Sequence, residues 1–462
     1  GTNPPATTDS FTVTVNNGYG TGKYKAGDTV HIFSLAYNTD QLFNSWNSSD
    51  ISLLNGKDEW HTWFIMPARN LSFTGSIKNI TPVTLTFEQI RGRDRLKPVY
   101  YFFPAGHKGF VYLLHGTSGS AQHFVNSYEY QQLIKDLVSD NFGVIVTEAE
   151  ESTLNTDLNA DGKIRWNNIP FDSVTNVDFA NLRIITDTFY TRGITNRSKF
   201  RYSAGMSNGG NFSASLSYMY SYKAGISYCA PSGSLIASAS SVPFQFCMAR
   251  FDNNENVGPT GNANALANSQ TLISRGICSK YFMQEHSPLY PERFARKGDI
   301  TLSKSVAIFN ELKTKGFLDS KNYFIGFSDA LTTAYQTNPT SFPELNSLNG
   351  LQKLTVIEQI DLAVARQLGR TSRVRQWVGG HALLRLASEV PILPQWTSWN
   401  GAFPTARCLT KRRSRSWKSV LLPAGRAAHG QQRVEVPGQH RRRRAAARSS
   451  GGRLGHLDAV DD

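Results

Sequence analysis

Residues 106–365 predict an α/β fold, a mostly parallel sheet with helices on both faces. Strands of continuous apolar character, such as "GFVYLL" and "FGVIVT", alternate with helical stretches such as "SYEYQQLIKDLVSDN" and "VDFANLRIITDTFYTRG". That alternation marks strands buried on both faces by helices. The first eighty residues differ. They alternate apolar and polar residues one by one around Asn- and Gly-rich turns, which predicts a small all-β unit ahead of the larger fold.

The composition suits this reading. Hydrophobic residues make up 40% and charged residues 18% of the 462, ordinary values for a globular chain long enough for two or three domains. No apolar run approaches the ~20 residues that cross a bilayer, so no membrane is expected. The net charge of +14 is confined to residues 366–462, which hold 19 Lys and Arg against 5 Asp and Glu. This basic C-terminal segment is compositionally anomalous. It has one Asn (Asn400), one Phe (Phe403) and no Tyr. It reads as a solvated tail, or as a frame-shifted or fused end. Its Arg441–Arg444 run suits phosphates, but no interleaved aromatics accompany it, and no nucleic acid is expected as a partner.

Four cysteines, Cys229, Cys247, Cys278 and Cys408, are too few for a disulfide scaffold and lack zinc spacing. The first three lie in or beside apolar segments and read as buried thiols, with one bridge among them as the alternative.

In chain order, "FTVTVNNGYGTGKYKAGDTVHIFS" and "HTWFIMPARNLSFTGSI" supply the strands of the first unit, residues 1–80. These segments, with Trp46, resemble the divergent InlB-type B-repeat. The resemblance implies a β-grasp-like accessory module of secreted or cell-surface proteins. Residues 81–105 read as a connector. Within 106–365, "SKFRYSAGMS" is a strand into a turn and "GGNFSASLSYMYSY" the helix after it. "KAGISYCAPSG" and "VPFQFCMARFD" are further strands, and "NANALANSQTLISRG" is a helix. Residues 285–350 read as an insertion capping the site, with a helix at "SKSVAIFNELKTKG". "LQKLTVIEQIDLAVA" reads as the last core strand.

Ser207 lies in "GMSNG", between a strand and a helix. That context is the nucleophile elbow: the serine sits on a strained turn, and small neighbours let strand and helix approach. Helix amides then face developing negative charge. Upstream, "VYLLHGTSGS" ends a strand in His115-Gly116-Thr117. The loop after that strand and the residue after the nucleophile supply the oxyanion hole, which nominates the amides of Thr117 and Asn208. His115 precedes Ser207, against the order Ser, acid, His, and reads as structural.

At these residues the chain resembles the α/β-hydrolase superfamily, in particular secreted esterases of the polyhydroxybutyrate-depolymerase-like kind. "LLHGTSG", "NVDFANLRII", "YSAGMSNGG" and "MARFDNNENVG" carry the resemblance, which spans residues 97–365. It implies a serine carboxylic-ester hydrolase that works through an acyl-enzyme and needs no organic cofactor. The implied substrates are acyl esters or aliphatic polyesters. The alternatives are acetyl or feruloyl esters of polysaccharides, or a catalytically impaired surface-binding protein. The acid should follow the strand after the nucleophile's neighbour, which nominates Asp252, with Glu255, Asp329 and Asp361 as alternatives. The histidine should follow the last core strand. His381 in "WVGGHALL" is the first candidate, His286 in "MQEHSPLY" the second, and His429, His440 and His456 remain.

"DLNADGKIRWNN" matches a calcium-loop pattern through Asp157, Asn159, Asp161 and the Lys163 carbonyl, with Gly162 at the turn. The twelfth position is Asn168 and not a bidentate glutamate. The loop is thus a candidate structural calcium site, or an Asx-rich turn that places Trp166 near the pocket mouth.

Overall fold

The computed structural model describes residues 10–35, 40–254 and 257–365, all within one compact unit. His381 and the other histidines beyond residue 365, and the alternative acid Glu255, lie outside the described residues.

The N-terminal alternation forms seven strands: β1 (Ser10–Asn16), β2 (Gly18–Tyr19), β3 (Gly22–Lys25), β4 (Thr29–Ser34), β5 (Gln41–Asn47), β6 (His61–Ile65) and β7 (Leu71–Asn79). They make a four-stranded sheet, β3-β1-β7-β5, and a three-stranded one, β2-β4-β6. The inward residues of both, including Val13, Ile32, Trp46, Phe64 and Phe73, share one core. This follows from the period-2 pattern, which puts every second side chain on one face.

Residues 81–105 are not a connector. They form β8 (Thr86–Arg91) and β9 (Leu96–Phe102), an antiparallel pair at one edge of the large sheet. The remaining strands are β10 (Gly109–Leu114), β11 (Phe142–Thr147), β12 (Phe200–Met206), β13 (Ala224–Tyr228), β14 (Phe244–Ala249) and β15 (Ser279–Gln284). The sheet runs β15-β14-β13-β12-β10-β11-β9-β8. All pairs from β11 to β15 are parallel, and β9 joins β11 antiparallel.

Seven helices connect these strands: α1 (Ala121–Asn126), α2 (Tyr128–Ser139), α3 (Glu150–Leu154), α4 (Val177–Thr191), α5 (Asn208–Met219), α6 (Ser234–Ala239) and α7 (Gly258–Ser274). Two apolar cores lie on opposite faces of the sheet, one around Val111, Val144 and Ile226, the other around Tyr112, Ile145 and Phe212. Residues 113–114 and 145–146 divide alternately between them, as strands buried on both faces must. Cys229 and Cys247 are buried thiols, and Cys278 is disulfide-bonded.

After β15 come α8 (Leu302–Thr314), α9 (Ser328–Thr337), α10 (Pro343–Asn346) and α11 (Gly350–Ala363). The segment read as the last core strand is therefore a helix. A capping box between Asn349 and Gln352 starts it, and its buried residues Val356, Gln359, Ile360 and Ala363 recur at helical spacing. Among the described residues the last strand of the sheet is β15. These helices enclose their own core, built on Leu289, Phe309, Leu331 and Ile360. Residues 285–350 also do not cap the cavity described below. They pack against the N-terminal strands, where Tyr290 joins the β core and Arg296 stacks on Trp60 at 3.5 Å. Among the described residues no helix is long and apolar enough to cross a membrane.

Candidate active site

Ser207 follows β12 and is the N-cap residue of α5, with φ 52° and ψ −120°. A non-glycine residue there is strained, and it persists because its surroundings over-determine it. The Ser207 N–H donates to the Tyr228 carbonyl at 2.8 Å, and its own carbonyl accepts from Gly210 at 2.8 Å and Asn211 at 3.1 Å. Two glycines make the turn passable. A Cβ on Gly205 would run into the Gly209 carbonyl, and one on Gly209 would lie 2.5 Å from the Leu114 oxygen. The Ser207 hydroxyl is not used as a cap, which leaves it for chemistry.

A cavity of about 650 Å³ opens over this turn, lined by Ser207 and Asn208 from the elbow and by residues 115–120 from the loop after β10. Thr117 and Asn208, the two candidate oxyanion residues, thus face one space. Among the described residues neither N–H donates to a backbone acceptor. Asn208 is the first residue of α5, where an N–H has no intrahelical acceptor. The arrangement sets a half-buried hydroxyl in one cavity with two amides, the pairing that an addition to a carbonyl requires.

His115 borders the cavity but is already committed. Its Nδ1 donates to the Gly116 carbonyl at 2.7 Å, and its Nε2 accepts from the Ala149 N–H at 3.1 Å. Burial pushes its pKa down to about 4, so the ring stays neutral. The structural role expected for it follows from these bonds.

Asp252 follows β14 and is 8% exposed. Its Oδ1 accepts from the Asn254 N–H at 2.9 Å, and Asn254 lines the cavity. The alternatives lie elsewhere. Asp329 is in α9, and Asp361 in α11 accepts from Ser328 Oγ at 2.6 Å.

His286 follows β15 and does not line the cavity. Its ring packs edge-on to Tyr323, with centroids 4.9 Å apart, and to Phe251 at 6.1 Å. Its Nε2 is buried and makes no hydrogen bond among the described residues. Burial lowers its pKa. The chain leaves the described region beside the candidate acid, because the Ala365 carbonyl accepts from the Phe251 N–H at 3.0 Å.

The loop of the calcium pattern is closed on itself. Asp157 accepts from the N–H groups of Asn159, Asp161 and Gly162, at 3.2, 3.3 and 2.6 Å. Asn159 accepts from Asp161, and Asp161 from Lys163. The other Asp161 oxygen accepts from Arg165 Nε at 3.0 Å. Arg165 thus answers a carboxylate that a cation would need. Among the described residues no three His, Cys, Asp or Glu side chains form a metal-holding group. These bonds make the loop an Asx-rich turn.

This turn leads into Trp166, which is 1% exposed and does not line the cavity, so it lies buried and not near the pocket mouth. The Trp166 N–H donates to Asn208 Oδ1 at 2.8 Å, Asn208 Nδ2 donates back to the Trp166 carbonyl at 3.2 Å, and Trp166 Nε1 donates to the His115 carbonyl at 3.0 Å. Next along the chain, the Asn167 N–H donates to Asp178 Oδ2 at 2.8 Å, and the Glu150 N–H to Asp178 Oδ1 at 2.7 Å. Burial pushes the Asp178 pKa up to about 6 despite these bonds. Sequence reading missed this scaffold, and also missed His123, Tyr130 and Asn211 as lining residues. His123 carried one local signal, the Ser120 N-cap that starts its helix.

No protein-family profile and no curated protein sequence matches the chain. Among solved structures it is similar to a dienelactone hydrolase from Anabaena variabilis, at 15% identity over 44% of this chain and 87% of that one, with a TM-score of 0.33. It is similar to an acetyl xylan esterase from Aspergillus awamori, at 14% identity over 40% of this chain and 81% of that one, with a TM-score of 0.30. An α/β serine hydrolase homologue from Coxiella burnetii gives 14% identity over 46% and 90%, with a TM-score of 0.30.

Proposed function

We propose that the chain is a serine ester hydrolase that works through an acyl-enzyme on Ser207. One observation carries this reading: a strained serine with an uncommitted hydroxyl shares a cavity with the unspent amides of Thr117 and Asn208. In the proposed reaction a histidine takes the Ser207 proton, and Oγ attacks the ester carbonyl carbon. The two amides hold the oxyanion. The alcohol leaves with the proton, and water then releases the acid.

Asp252 is the proposed acid and His381 the proposed histidine. The exit of the chain at Ala365, bonded next to Asp252, supports His381 over His286, whose ring is held between Tyr323 and Phe251. Sixteen residues can span up to roughly 50 Å, so reach is no obstacle. We place the activity in a secreted or surface protein, on the B-repeat resemblance of the N-terminal strands.

The first substrates to test are simple acyl esters and aliphatic polyesters. Polysaccharide acetyl or feruloyl esters form a second reading, favoured by the polar wall of Asn211, Asn254, Ser118 and Ser120. Turnover of p-nitrophenyl butyrate against acetyl-xylan separates them. Loss of both activities in Ser207→Ala supports the reading, and undiminished turnover in that variant overturns it. A wild-type chain inert on every ester tested would leave the surface-binding role.

A further inference from the structure

We propose that Glu151 is a positioning residue for this reaction, fixing through one buried carboxylate the loop on which both candidate oxyanion amides rest. The proposal rests on the reading of Ser207 above. Glu151 lies in α3, is 1% exposed, and accepts two backbone donors. Oε1 takes the Leu158 N–H at 3.2 Å and Oε2 the Arg165 N–H at 2.9 Å. It therefore grips the Asx-rich turn at both ends. Such a carboxylate uses its two oxygens as paired acceptors, and no neutral residue of the same shape can do both.

The residues flanking Arg165 carry this grip to the site. On one side the Ile164 carbonyl accepts from the Ser118 N–H at 2.8 Å. Ser118 directly follows Thr117 and has φ 58°, a left-handed turn that a non-glycine residue keeps only when something holds it. On the other side Trp166 and Asn208 hold each other by the reciprocal pair of bonds already described. The positions of both amides are thus tied to this segment, which also brings Lys163 and Arg165 to the cavity wall. A donor displaced by a fraction of an ångström loses much of its worth to an oxyanion, yet ground-state binding barely feels the shift.

The test is Glu151→Gln, with Asp157→Ala as the second variant. The amide of Gln keeps one acceptor and turns an NH₂ toward the other N–H. Asp157 is half-buried, and its loss loosens the same turn from within by removing three backbone hydrogen bonds. Active sites are titrated first with a fluorophosphonate, and kcat and KM for p-nitrophenyl butyrate are expressed per titrated site. The expected result is kcat lower by about tenfold in Glu151→Gln and by a few-fold in Asp157→Ala, with KM within about twofold. An unchanged kcat per titrated site overturns the proposal, as does a loss that resides in KM. If Glu151→Gln yields no folded protein, an unchanged kcat in Asp157→Ala overturns it alone. A wild-type chain that the fluorophosphonate does not label instead removes the underlying reading of Ser207, a separate failure.

Discussion

Asn208 and Trp166 hold each other by two hydrogen bonds, from the Trp166 N–H to Oδ1 at 2.8 Å and from Nδ2 to the Trp166 carbonyl at 3.2 Å. The residue after the candidate nucleophile therefore has two jobs. It lines the cavity, and its side chain clamps the backbone of Trp166. Asn208→Leu keeps the volume and removes both bonds. The Trp166 N–H and carbonyl are then buried without partners, at about 1–3 kcal/mol each. Urea unfolding should show that loss. A variant as stable as the parent would mean the clamp is incidental.

Gly209 packs against the chain segment that ends β10. An added methyl group would lie 2.5 Å from the Leu114 oxygen and closer still to that of His115, both rigid backbone atoms. Gly209→Ala should cost more than about 3 kcal/mol or prevent folding, because the neighbours cannot yield. A melting temperature within a few degrees of the parent contradicts this packing.

Asp178 gives a pH dependence of definite sign. Burial raises its folded-state pKa from 3.8 to about 6. Between those values the folded chain binds more proton than the unfolded chain, so this group's contribution to stability falls as pH rises from about 4 to about 6. Denaturant midpoints measured across that window should show a component of this sign that Asp178→Asn removes. An identical pH profile in the two proteins rules it out.

Arg293 is 1% exposed, and among the described residues its Nε and Nη1 have no hydrogen-bond acceptor. Burial pushes its pKa down to about 10. It lies 5.0 Å from the Trp60 ring. A buried cation so poorly compensated contributes little net stability. Arg293→Met should therefore unfold within about 1 kcal/mol of the parent, or later. A loss of several kcal/mol would show that the stacking on Trp60 outweighs the desolvation.

The central strands and the Ser207 turn were legible because each declares itself locally, by a continuous apolar run or by a glycine pair around a serine. Residues 86–102 were not. Pro98 sits inside β9, where proline ordinarily argues against a strand; β9 lies between β8 and β11, but its ladder to β11 begins only at Tyr100. The run "LTVIEQIDLAVA" suits either period, and the Asn349–Gln352 capping box was the signal that distinguished them. Glu151 and Asp178 escaped notice because their partners are backbone amides that only the folded chain brings to them.

The central claim is that Ser207 accepts an acyl group, and the most direct measurement is the site of covalent capture by a fluorophosphonate, read by peptide mass spectrometry. The account predicts one adduct per chain, on Ser207, blocked by prior incubation with an ester substrate. An adduct on another residue, or none on folded full-length chain, contradicts it.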